Sequence, residues 1–221
     1  MQLGGMLMAA SRGKGAGIKG HNYELKMSKV LTKWSGERVL RTMSSGAGAG
    51  KTENETRMTG DLFFPIGSNN PFNYECKDHA NVKFTNFFFN NGEIPEFWNQ
   101  ATTDARRLEY SVPVLLVHVP QVTGGNRALD LVLLPYEGKF YNFLVKNYLP
   151  AQVQITSYKD PMTEQLNHFK TILTDIKSFT AIDSQALFKI YANCDWDCWN
   201  RGKDTVKPVD VDKVLHEALD N

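Results

Sequence analysis

Residues 111–120, SVPVLLVHVP, and 128–135, ALDLVLLP, are two nearly unbroken apolar runs of strand length. A strand with one face in water alternates apolar and polar residues, so a run without alternation has to be covered on both faces. Both runs fall far short of the roughly 20 residues that a membrane helix needs. They predict central strands of a buried sheet with helices packed above and below, and no membrane segment. At 221 residues and 42% hydrophobic content, the chain can bury one such domain with a smaller addition.

Helices to cover that sheet are legible on either side of its first strands. In residues 21–34, HNYELKMSKVLTKW, the residues Tyr23, Met27, Val30, Leu31 and Trp34 recur at helical spacing, and Ser35-Gly36 ends the pattern. Residues 95–109 open on Pro95 and carry Phe97, Trp98, Ala101, Ala105 and Leu108 on one side, which predicts a second helix. Short strands are expected in residues 37–44, 60–66 and 71–77, with a flexible loop over 45–57. The segment 78–95 has no clean period and reads as either a long loop or a short strand. Residues 139–148 and 152–159 read as further strands, 162–179 as helix, and 209–220 as a terminal helix after Pro208.

Charge is unevenly placed. Residues 1–60 hold ten Lys or Arg against four Asp or Glu, whereas the whole chain has a net charge of only +1. The N-terminal quarter is therefore the part suited to an anionic polymer. Arg12, Lys14 and Lys19 lie among glycines, which predicts a flexible basic arm over 1–20, with a solubilising tail as the alternative. Cys76, Cys194 and Cys198 are an odd number, which favours a reducing cytoplasm, and no secretory signal is expected at the start. Cys194 and Cys198 lack the further ligands of a zinc site and read as free thiols.

The stretch FNYECKDHA, residues 72–80, carries the chemistry. On a strand Phe72, Tyr74 and Cys76 share one face, while Glu75 and Lys77 share the other. The turn residues GSNN at 67–70 allow the strand of 60–66 to return antiparallel. Asp61 then meets Glu75 at one end of the sheet. Two acids beside one lysine call for a divalent cation, and Mg²⁺, with Mn²⁺ as substitute, suits a few carboxylates plus open positions for a phosphate oxygen. Lys77 is placed to orient an attacking water. Glu24, on the first helix, is a candidate third acid; a solvated acid in a first helical turn is the alternative.

These residues carry a resemblance. The order Glu24, Asp61, Glu75-Cys76-Lys77 resembles the PD-(D/E)XK nuclease superfamily, although Thr59-Gly60-Asp61 stands in place of its Pro-Asp. The stretch RTMSSGAGAG, residues 41–50, is similar to the Arg and Ser-Gly segment of archaeal-type Holliday junction resolvases, and the combination is similar to a phage-encoded one. The resemblance covers about residues 20–120. It implies an α/β, restriction-endonuclease-like core with a central mixed β-sheet flanked by helices over 21–149; residues 150–221, outside the resemblance, read as a mainly helical C-terminal accessory segment. It also implies Asp61, Glu75, Glu24 and the Cys76 backbone carbonyl as metal ligands and Lys77 and Ser45 in catalysis. Phosphate contacts fall to Arg41, with Ser44 as the competing serine, and backbone binding to Arg12, Lys14, Lys19, Lys26 and Lys33.

Gln100 would help place a water, and His79 would touch DNA or metal; a surface glutamine and a loop histidine are the alternatives. Phe84, Phe87, Phe88 and Phe89 read as a core cluster or dimer contact, or as a wedge for a branched substrate. The expected function is metal-dependent cleavage of branched DNA, above all a four-way junction, by a homodimer in a host cytoplasm, without an organic cofactor. A nuclease of other substrate choice and a non-catalytic DNA-binding protein on the same fold are the alternatives.

Overall fold

Tyr23, Met27 and Leu31 are spaced by one helical turn each, and all three are buried. They seat the helix α1 (Leu7–Ser35) on one face of a sheet. The computed structural model describes residues 7–42, 59–120 and 128–202, with side chains from residue 18 onward. Within these residues the remaining elements are β1 (Leu40–Arg41), β2 (Leu62–Phe63), β3 (Phe72–Asp78), α2 (Phe84–Phe89), α3 (Ile94–Arg106), β4 (Val112–Val119) and β5 (Leu129–Pro135). They continue as α4 (Gly138–Lys146), β6 (Gln152–Lys159), β7 (Leu166–Asp175), α5 (Ile176–Phe179) and α6 (Ser184–Tyr191).

All seven strands form one sheet in the order β1-β2-β3-β4-β5-β7-β6. It is mixed: β3 runs parallel to β4, and every other neighbouring pair is antiparallel. Helices cover both faces, as the apolar runs in β4 and β5 require. Phe72, Tyr74 and Cys76 face α1, α5 and α6 in one core, which includes Phe179, Leu187 and Tyr191. The opposite core joins Leu115, Val117 and Leu133 to Trp98 and Ala101 of α3 and to Phe87 of α2. The restriction-endonuclease-like architecture is therefore present. Among the described residues no helix is long and apolar enough to cross a membrane.

Several segments differ from their local pattern. Residues 139–148, where an apolar run predicts a strand, form α4. Phe140 and Leu144, four apart, go into the core, and the Glu137 side chain accepts a hydrogen bond from the backbone N–H of Lys139 at the helix start. Residues 166–175, where a helix is predicted, form β7. Phe169, Ile172, Leu173 and Ile176 imitate helical spacing, yet Phe169 and Thr171 alternate with exposed Lys170, and a place between β5 and β6 satisfies the backbone. The unassigned segment 78–95 contains α2.

The domain boundaries change accordingly. β6 and β7 complete the central sheet, so residues 150–175 belong to the core rather than to a helical accessory segment. The helices α5 and α6, next along the chain, pack into the same core. The start of the chain is also more regular than an arm over 1–20 would be, because α1 begins at Leu7. Once residues 21–35 are fixed by packing, each further helical residue adds a backbone hydrogen bond, and this carries the helix through the glycines. The terminal helix expected at 209–220 lies outside the described residues.

Candidate active site

The β2–β3 hairpin builds the site. A turn closes with Ser68 N–H donating to Pro65 O at 3.1 Å, and Leu62 pairs with Tyr74. This register puts Asp61 beside the middle of β3. Asp61 N–H donates to Tyr74 O at 2.8 Å, and the Asp61 carboxylate accepts the Cys76 N–H at 2.8 Å. The residue is thus held by its backbone and its side chain against the one strand that carries Glu75.

Gly60 explains the departure from Pro-Asp. Its φ is +78°, and a Cβ there would lie 2.5 Å from Asn73 Oδ1 and 2.7 Å from Tyr74 O. Only glycine accepts both the left-handed backbone and the close approach. Thr59 is tied down in turn, its carbonyl and hydroxyl accepting from Asn73 Nδ2 at 3.1 and 2.6 Å. The tight turn into Asp61 is fixed by its neighbours instead of by a proline ring.

Glu75 lies in a row with Leu115, Leu133 and Leu173, which are its Cα partners across successive strands. Its residue surface is only 1% exposed. Lys77 Nζ is ion-paired with Glu75 Oε1 at 2.6 Å, and no other group donates a hydrogen bond to the Glu75 carboxylate among the described residues. The lysine also donates to Gln100 Oε1 of α3 at 2.7 Å and lies over the Phe97 ring. Gln100 therefore reaches the site by holding Lys77.

Burial raises both carboxyls. Desolvation pushes Asp61 up to about 6 despite the Cys76 N–H, with Glu24 and Asp104 adding like charge and Lys77 opposing them. Desolvation, then the Asp61 charge, pushes Glu75 up to about 8. Such a pair cannot ionise fully on its own near neutral pH. Two buried carboxylates that share one lysine leave oxygen lone pairs of the kind a hard divalent cation satisfies.

The other expected site residues divide. Glu24 is buried near Asp61, but its carboxylate is engaged by Arg41, whose Nε donates to Oε2 at 2.6 Å, with Nη2 paired to the same oxygen. Arg41 thus contacts an acid. Among the described residues no three His, Cys, Asp or Glu side chains converge closely enough to hold a metal ion. Lys19, Lys26 and Lys33, seven apart on α1, are all exposed, and Lys26 Nζ is 2.5 Å from Asp130. His79 contacts Glu93 at 2.9 Å and packs on Phe97. Ser44 and Ser45 lie outside the described residues, as do the side chains of Arg12 and Lys14. Phe87 is buried, whereas Phe88 and Phe89 are exposed.

Asp104 belongs to none of the sequence motifs. It sits one turn after Gln100 on α3, and its charge acts on both Asp61 and Glu75. The i, i+4 spacing from Gln100 is the one signal that could have marked it.

No curated protein and no solved structure matches the chain. A family model described as "Phage putative PDDEXK endonuclease" matches residues 16–189, a span running from within α1 through most of α6 that includes the hairpin, both acids and Lys77, and the chain belongs to that family of PD-(D/E)XK-type nucleases.

Proposed function

We propose that this protein is a divalent-metal-dependent endonuclease that hydrolyses phosphodiester bonds in branched DNA, with four-way junctions as its substrate. The observation that carries the metal-dependent chemistry is the meeting of Asp61 and Glu75 in the interior, with Lys77 as the one cation paired to the Glu75 carboxylate among the described residues. Asp61, Glu75 and the Cys76 backbone carbonyl would hold Mg²⁺, or Mn²⁺ in its place, with Glu24 completing the acidic set. When bound, the cation supplies charge neutralisation at the phosphate and a more acidic water.

The protein's own groups do the positioning. Lys77, steadied by Gln100 and Phe97, directs its amine at the attacking water and the phosphate oxygens. Arg41 exchanges its contact with Glu24 for the phosphodiester, beside Ser45 or Ser44. Lys14, Lys19, Lys26 and Lys33, with Arg12, contact DNA backbone rather than bases. Two cuts related by symmetry require two such sites, hence a homodimer, acting in the cytoplasm of a phage-infected host.

Cleavage of a synthetic four-way junction, compared with linear duplex and single strand, tests the substrate. Paired nicks placed symmetrically about the branch point are expected; if they never form while linear DNA is cut, the junction assignment fails. Asp61→Asn keeps an acceptor for the Cys76 N–H, so it should retain junction binding while losing at least about a hundredfold in cleavage. Absence of Mg²⁺- or Mn²⁺-dependent cutting by the wild type would leave a DNA-binding protein on a nuclease fold.

A further inference from the structure

Two clefts flank the C-terminal end of α3. One, of about 420 Å³, is lined by Asn99, Gln100, Thr103, Asp104 and Arg107. It adjoins the acidic pair through Gln100, which holds Lys77. The other, of about 590 Å³, has Thr59, Asn70, Asn73 and Tyr110 among its lining residues and adjoins the pair through the Thr59–Asp61 turn. The chain passes from one cleft to the other between Arg107 and Tyr110.

Each of these residues has a carboxylate beside it, Asp104 at Arg107 and Glu109 at the Tyr110 hydroxyl, and each keeps an exposed group beyond that contact. Asp104, with a side chain 13% exposed, fixes Arg107 through a 2.5 Å contact, while the Arg107 side chain is 52% exposed. A guanidinium has five N–H donors, so one anchored edge leaves others to face the cleft. Thr103 and Asn99 line the same cleft one and two turns before Arg107 and are neutral hydrogen-bonding groups, and the carboxylate that lines it, Asp104, is the one paired with Arg107.

Tyr110 has φ +60° and is 77% exposed. A left-handed backbone is unfavourable for an aromatic residue, and the ring gains little burial in return. Tyr148 shares this backbone and exposure, and what distinguishes Tyr110 is its place in a cleft that adjoins the acidic pair. An exposed ring three residues after an exposed guanidinium, each lining one of the two clefts, offers what a nucleic acid strand takes, stacking for a base and a bidentate donor for a phosphate.

We infer that Arg107 and Tyr110 form a ridge that grips a single DNA strand next to the scissile phosphodiester, Arg107 on a phosphate and Tyr110 stacked on a base. This rests on the nuclease reading above and deepens it by assigning the path of the strand between the two clefts. The grip tolerates any sequence, because every base has a stacking face and every nucleotide a phosphate.

Fluorescence anisotropy of the full chain with a labelled single strand of mixed sequence, in Ca²⁺, reads binding without turnover. Tyr110→Gly should weaken single-strand binding about tenfold or more, with a melting temperature no lower than the wild type because the strain is relieved. Tyr110→Phe should bind as the wild type does. Arg107→Ala should weaken binding about tenfold and reduce the salt dependence by about one charge. If either Tyr110→Gly or Arg107→Ala binds within twofold of wild type, the ridge is overturned. Wild-type protein that binds strand through these residues yet never cuts DNA with Mg²⁺ would overturn the nuclease reading instead and leave the ridge standing.

Discussion

Glu75 shows how burial and a neighbouring acid act together on one carboxyl. Its carboxyl is buried in a row of leucines and shares the site with Asp61, and each effect favours the protonated form. In an unfolded chain both acids ionise near 4; in the folded, metal-free protein they hold their protons up to about 6 and about 8. The native state therefore binds more protons than the unfolded state through this window, so its stability is greatest below it and decreases as pH rises across it. Urea midpoints measured without divalent cations should fall with rising pH, and Glu75→Gln should flatten much of that slope. Added Mg²⁺ should raise the midpoint, most of all at the alkaline end, because both carboxylates are then stabilised as anions.

At the scale of elements, two glycines in different settings should respond in opposite directions. Gly60 precedes Asp61 in the left-handed region, where an added Cβ would strike Asn73 and the Tyr74 carbonyl. Gly60→Ala should destabilise the protein by about 2 kcal/mol or more, read from urea denaturation, and should lower cleavage further by shifting Asp61. Gly20 lies within α1, and a Cβ there would meet nothing within 4 Å. Gly20→Ala should stabilise the helix by up to about 1 kcal/mol, measurable in the same experiment. Asn90 gives another element its place. Its side chain bonds both the carbonyl and the N–H of Ser157 on β6, which satisfies backbone groups that an edge strand would otherwise expose.

For the molecule as a whole, the sheet makes the C-terminal third indispensable. β7 pairs with β5 on one side and β6 on the other, and Arg106 of α3 reaches over Phe169 and Trp196 to bond Asp197 with two nitrogens at 2.7 Å. A fragment of residues 21–149 would leave β5 as an open edge and strip the cover of α5 and α6 from Val132 and Leu134. It should fail to give a cooperative thermal transition by circular dichroism, whereas the full chain should melt cooperatively. A fragment that folded and cut DNA would return the boundary to residue 150.

Local pattern alone was enough to determine the hairpin, the helix seated by Tyr23, Met27 and Leu31, the buried strands β4 and β5, and the pairing of Asp61 with Glu75 and Lys77. Each of these depends on a periodicity or turn that spans a few residues, and a few residues carry that information. The exchange of strand and helix between residues 139–148 and 166–175 was not legible, since Phe169, Ile172, Leu173 and Ile176 fit either period until β5 and β6 supply partners. Nor could spacing reveal that Arg41 takes hold of Glu24, or that Asp104, 29 positions beyond Glu75, shares its electrostatic surroundings. Charge and burial act through space and sum over neighbours from every part of the chain. The residue types thus pointed to an acidic site, while the packing of α1 and α3 against the sheet decided which carboxylate is engaged by an arginine and which is held beside Lys77 in the interior.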